Sequence, residues 1–279
     1  MPAPQNDLMS KMAKVFFAMN FIQLPMDWKD MGDLYMDAFE IDEKMVPPNP
    51  PPPINLFKEV SLNKYHVDTA KTISDGFSDY IDGICGAICD GIDKWLKTTT
   101  IVGVIINGPV GVLAPGNVIG ATPLNMLIFA TAPKNTPQEM KYSNAIASAF
   151  GTLWQAWSAG IAGILSYPPL AAFPGPVAPP TPNVPIPLIA LPSPGEPGLS
   201  PGSLKGMMIV NLAEPTAYHA SELFDAITKA FNAVFQIFKA STLVKNVLGT
   251  GPIPTFAPPF MPAGPVMGGI GIGAPGCIS

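Results

Sequence analysis

The chain has 279 residues, 48% of them hydrophobic, with 35 Pro, 26 Gly and only 13% charged residues, for a net charge of −5. High hydrophobicity with little charge is the reverse of a disordered composition. Every basic residue is Lys, so the Arg that nucleic-acid and phosphate recognition favours is missing, and no nucleic-acid partner is expected.

Charge is unevenly spread. Segments 98–133, 142–195 and 246–279 contain no Asp, Glu, Lys or Arg. Runs of this length on a soluble monomer normally carry charge, so these are expected to lie against protein or in lipid.

The N-terminal 53 residues read as two amphipathic helices and a spacer. Met12, Val15, Phe16 and Met19 mark the first helix; Met31, Leu34, Tyr35, Ala38 and Phe39 mark the second. VPPNPPPP (46–53) stops the second helix and forms a stiff link. No secretory cleavage pattern follows VFFAMNFIQL.

Three helix-plus-arm units are expected after that, at 54–133, 134–205 and 206–279. Each opens near a tyrosine (Tyr65, Tyr142, Tyr218), continues as a helix and turns into a Pro/Gly-rich arm. The helices are placed at about 66–97, 137–165 and 217–246. The arm starts align as TTTIVGVIINGPVGVLAPG (98–116), AGIAGILSYPPLAAFPGP (159–176) and ASTLVKNVLGTGPIPTFAPP (240–259). The fold class expected is therefore mainly α, a packed helical module with long extended arms and a three-fold internal repeat.

In the first unit, Ala70, Ile73, Phe77, Ile81, Ile84, Ile88, Ile92 and Trp95 recur at helical spacing. Gly76, Gly83, Gly86 and Gly91 each weaken an isolated helix by ~1 kcal/mol, which a close neighbouring backbone would justify. Asp75, Asp79, Asp82, Asp90 and Asp93 read as a solvated face, since calcium sites use loops with mixed oxygen ligands. Cys85 and Cys89 share this helix, and Cys277 lies late in the chain. An odd count of three argues against a disulfide framework and favours buried thiols.

The second unit starts at Thr136-Pro137-Gln138-Glu139, a capping box with Pro in the first turn. Its helix is apolar on every side, with Phe150, Trp154 and Trp157. Residues 143–165 are the strongest candidate for a membrane anchor, diluted by Ser143, Asn144, Ser148, Thr152, Gln155 and Ser158. The arm at 178–194 loses too many backbone donors for a central strand, so polyproline II or edge conformations are expected. In the third unit Phe224, Ile227, Phe231, Val234 and Phe238 form a packing seam. The C-terminal arm, 252–279, has seven prolines and is expected to clamp a neighbouring subunit.

No catalytic, cofactor-binding or metal-ligating residue is assigned. Cys85 and Cys89 could ligate a metal with His66, but the pair is Cys-x3-Cys within a glycine-rich helix, and GGIGIGAPG (268–276) precedes no helix. In composition and layout over the whole chain, the protein resembles structural proteins of tailed-bacteriophage virions or related contractile injection machines. That resemblance implies a non-enzymatic assembly protein in a virion (tail, baseplate, neck or capsid-associated), with other virion proteins and copies of itself as partners. The alternative is a membrane-associated or pore-like protein anchored near 143–165.

Overall fold

The computed structural model describes residues 4–19, 59–214, 217, 219–254, 256–257 and 261–279. The expected second N-terminal helix, the spacer at 46–53 and Tyr218 lie outside these residues, as do the side chains of Tyr65, His66 and Ala70.

Among the described residues six helices pack in a ring: α1 (Asn6–Met19), α2 (Glu59–Thr98), α3 (Leu124–Thr131), α4 (Pro137–Gly160), α5 (Pro201–Leu212) and α6 (Ala220–Ser241). Each touches the next in sequence, and α1 closes the ring between α6 and α2. The α2 stripe is buried from Ile81 to Trp95, while Ile73 is exposed. Gly91 and Gly83 let α3 and the residues just after it come close. A side chain at Gly91 would meet Ile128 Cγ1 at 2.8 Å, and one at Gly83 would meet Pro133 Cγ at 2.6 Å.

Thr136 caps α4 by accepting a hydrogen bond from the Glu139 N–H at 3.1 Å. The Glu139 carboxylate accepts from the Asn135 N–H, one residue earlier than the usual reciprocal bond. Trp154 stands edge-on to Trp95 at 5.3 Å, and Phe150 edge-on to the α6 ring of Phe231 at 4.7 Å. All five residues of the α6 seam are buried. In α1 the buried line is Met9, Ala13 and Phe17, whereas Val15 and Met19 are exposed.

The mainly-α expectation is wrong: the chain is mixed α/β. The three charge-free segments form one antiparallel sheet, which also includes the two-residue β3 (Val118–Ile119) beside the start of β1. The first segment supplies β1 (Thr100–Asn107) and β2 (Val110–Leu113); the second supplies β4 (Gly163–Ser166) and β6 (Val177–Pro182). The third supplies β9 (Val247–Pro252) and β12 (Gly269–Gly273). Their order is β4-β2-β1-β12-β9-β6. The first main-sheet strand after each long helix (β1, β4, β9) runs in a common direction and alternates with a return strand (β2, β12, β6).

Proline does not prevent this, because of where it sits. Pro179, Pro180 and Pro182 lie in β6, an edge strand in which missing donors face no partner. Beyond β9, the C-terminal segment re-enters the interior of the sheet only after Gly268 (φ +64°), where the prolines give way to GIGIG.

Two small sheets complete the fold. One joins β10 (Phe256–Ala257), β11 (Met261–Gly264) and β5 (Phe173–Pro174); the other joins β7 (Ile186–Pro187) to β8 (Leu243–Val244). Leu188 and Leu191 of the proline-rich arm are buried within the chain itself, as are Ile253 and Val266 of the C-terminal arm.

Candidate functional site

Tyr167, just after β4, decides the shape of the main sheet. Its ring is fully buried. Cε2 lies 2.6 Å from where a side chain on Gly111 (β2) would begin, and Cε1 lies 2.9 Å from the same point on Gly249 (β9). Three strand spacings separate β2 from β9, which in a flat sheet would be about 14 Å. The sheet is therefore curled around the ring. At one end its edges meet, where the Val184 N–H, just past β6, donates to the Ser166 carbonyl of β4 at 2.8 Å.

A sheet curled this tightly has little room inside. A side chain at Gly271 would meet Val104 Cβ at 3.0 Å, and one at Gly249 would meet Ile106 Cδ1 at 2.4 Å. Glycine takes the inward places of β12 and most of those of β9, opposite the inward Ile101, Val104 and Ile106 of β1, and the period of two along a strand then sends the large residues of β12 outward. In β12 the inward residues are Gly269, Gly271 and Gly273, and the outward ones Ile270 and Ile272. The usual amphipathic arrangement of a strand is inverted.

The outward residues line up across the strands. Ile164 (β4) faces Val112 (β2), Val112 faces Ile105 (β1), Ile105 faces Ile270 (β12), and Ile270 faces Thr250 (β9). Ile272 pairs with Leu248 in the adjacent row. Ile105, Val112, Ile164, Val177, Leu248, Ile270 and Ile272 are 44–59% exposed. No charged residue and no aromatic residue points outward from these six strands. Single exposed aliphatics are ordinary, but a contiguous row across a sheet is the kind of patch that marks an interaction surface.

The glycine-rich run 268–276 supplies β12 of this face, whereas the candidate Asp, His and Cys side chains take no part in it. Asp75, Asp79, Asp82 and Asp90 of α2 are exposed, and Asp82 is held by Ser10 and Lys14 of α1. Among the described residues no His/Cys/Asp/Glu group is arranged to hold a metal. His219 sits at the start of α6 with φ +56°, its ring edge-on to Phe77.

Cys85, Cys89 and Cys277 are buried free thiols. Burial pushes the Cys89 thiol up to about 12 and that of Cys277 to about 11, so both stay protonated. Burial raises the phenol of Tyr167 as well, and its hydroxyl has no hydrogen-bond partner. Lys239, buried in α6, pairs with Glu196 and lies 5.2 Å from the Phe235 ring centre. A cavity of about 300 Å³ between α2, α3 and α4 is lined by Trp95, Asn125, Thr152 and Gln155 with no charged group.

Sequence reasoning missed the outer face. The signal was present as a period of two in GIGIG, VGVL and VLGTG, but with glycine where a core residue is expected. Residues 143–160 of the candidate membrane anchor lie in α4, which is packed against α3 and α5. Among the described residues no helix is long and apolar enough to cross a membrane. Comparison with protein-family models, with curated proteins and with solved structures finds no match.

Proposed function

We propose that this chain is a non-enzymatic structural protein that works by assembling with other proteins through the outer face of its curled sheet. The reading extends to the setting that its composition and layout resemble, a tailed-phage virion or a related contractile injection machine. One observation carries it: a charge-free, aliphatic row from Ile164 to Ile270 lies exposed across four neighbouring strands. An uncharged surface of this kind gains free energy when it leaves water, at about 25 cal/mol per Å².

The arms serve assembly indirectly. Their backbone groups are taken up inside the chain, and their outward side chains form the working surface. The test is incorporation into the particle. An Ile105→Lys, Ile272→Lys chain is expected to keep the helical circular dichroism of the wild type and to be missing from gradient-purified particles. Incorporation at the wild-type level refutes the reading.

A further inference from the structure

We infer that the outer face of the curled sheet is covered by a second copy of this chain, outer face against outer face, with Ile105 and Ile270 at the centre of the contact. The inference rests on the reading above that this face is the working surface, and it names the occupant.

Composition is the first argument. Interfaces with transient partners are enriched in Tyr, Trp, Met and Arg, whereas obligate interfaces between copies resemble a domain core cut in half. The outward residues of the six strands are mainly Ile, Val and Leu, with Thr and Pro and with Gly103, Asn107 and Ser166, a largely aliphatic set close to core composition.

Charge is the second. The net charge is −5, so two copies repel wherever their charged helices approach. The sheet strands hold no charge at all, so two copies can meet there without like charges in contact.

Edge geometry is the third. Prolines occupy β6 at one edge, and the Val184 N–H already uses the Ser166 carbonyl at the other. Strand addition at the edges is hindered, and association is directed to the face.

Size is the fourth. Six strands at about 4.8 Å and five residues at about 3.3 Å give a footprint of roughly 480 Å² at the backbone. Side-chain tips enlarge it, but it runs around the whole curl, so a single neighbour covers less than the ~800 Å² that a standard interface takes from each partner, the size of a weaker contact. Convexity limits what one neighbour reaches, which places the contact on the middle strands β1 and β12. A bilayer fits less well. The longest described strand, β1, has eight residues, short of the nine to eleven that span a membrane, and the six strands carry no outward aromatic residue to sit at a membrane interface.

The test is sedimentation of the full chain with Ile105→Lys, Ile270→Lys and, as a control, Val210→Lys on exposed α5. The wild type and the control are expected to be oligomeric. Each sheet variant is expected to keep its circular dichroism while associating roughly 30-fold or more weakly. A monomeric wild type overturns the inference, as does an oligomer unaffected by either sheet variant. So does flotation with phosphatidylcholine vesicles that Ile270→Lys abolishes. If the wild type is monomeric but the sheet variants still fail to enter particles, the occupant is another protein and the assembly reading stands. If the variants also enter particles normally, both readings fail.

Discussion

Replacing Tyr167 tests whether the ring is the post around which the sheet curls. The ring is fully buried and touches the inward glycine positions of β2, β9 and β12. Tyr167→Ala leaves a void walled by the backbone of Gly111, Gly249 and Gly271, with the Val104 and Ile106 side chains beside it. Truncation of a large buried aromatic costs about 3–5 kcal/mol. Domain stability is typically about 5–15 kcal/mol, so Tyr167→Ala is expected to bring the sheet close to unfolding. Tyr167→Phe isolates the other half of the argument. It keeps the ring and removes a buried hydroxyl that has no partner. An unsatisfied buried polar group costs about 1–3 kcal/mol, so the Phe variant should be neutral or up to about 1 kcal/mol more stable. Urea unfolding followed by circular dichroism and tryptophan fluorescence measures both. A loss above about 1 kcal/mol in Tyr167→Phe would show that the hydroxyl is bonded after all. A loss below about 1 kcal/mol in Tyr167→Ala would show that the curl does not depend on the ring.

Gly251→Ala places a methyl carbon 2.5 Å from the Gly269 backbone Cα, and thermal unfolding should show a loss of about 1–3 kcal/mol or more. Gly206→Ala on α5 meets nothing within 4 Å and should gain about 0.5–1 kcal/mol in the same assay. Glu196→Ala strips the carboxylate from buried Lys239; a loss of about 2–3 kcal/mol is expected, discounted because Glu196 is half exposed, and Lys239→Met in the same chain should recover most of it. At Asp225, burial pushes the carboxyl up, but Lys229 at 2.6 Å and Lys205 at 3.5 Å outweigh burial and leave it below its ordinary value. Its contribution is therefore complete above the unfolded value of about 4 and is lost as the pH falls through the folded one. Asp225→Asn should cost about 1 kcal/mol near neutrality, and urea titrations should show the gap to wild type closing below about pH 4.

The helices were legible because their cause is local. Phe224, Ile227, Phe231, Val234 and Phe238 lie on one face by spacing alone, and Thr136 with Glu139 states where α4 starts. In α1 the helix was legible but its buried face was not. Met9, Ala13 and Phe17 are buried because α1 is wedged between α6 and α2, and nothing within α1 says so. The sheet was illegible for a physical reason. A Gly–Ile alternation signals a strand only if something bulky fills the space above the glycines. That group is Tyr167, contributed by a different segment, and its contact with Gly271 is tertiary. Proline misled for a similar reason, since its cost in a strand depends on whether the strand is central or at an edge, and β6 is at an edge. The outer face was hidden with the sheet, because it exists only once strands from three segments stand side by side.

The position of β12 also sets an order of events in time. Its residues, 269–273, fit between β1 and β9, pairing Ile106 with Gly269 and Leu248 with Ile272. Most helix contacts join neighbours in sequence and can form early, although α1 waits for α6, and closing the sheet waits longer still, for a strand synthesised more than half a chain length after β1. Pairings over such separations are slow. Until β12 arrives, β1 and β9 are not neighbours and the row from Ile164 to Ile270 is interrupted. A chain stopped short of residue 269 thus never displays the continuous apolar surface, and the surface reports that synthesis has passed the last strand of the sheet.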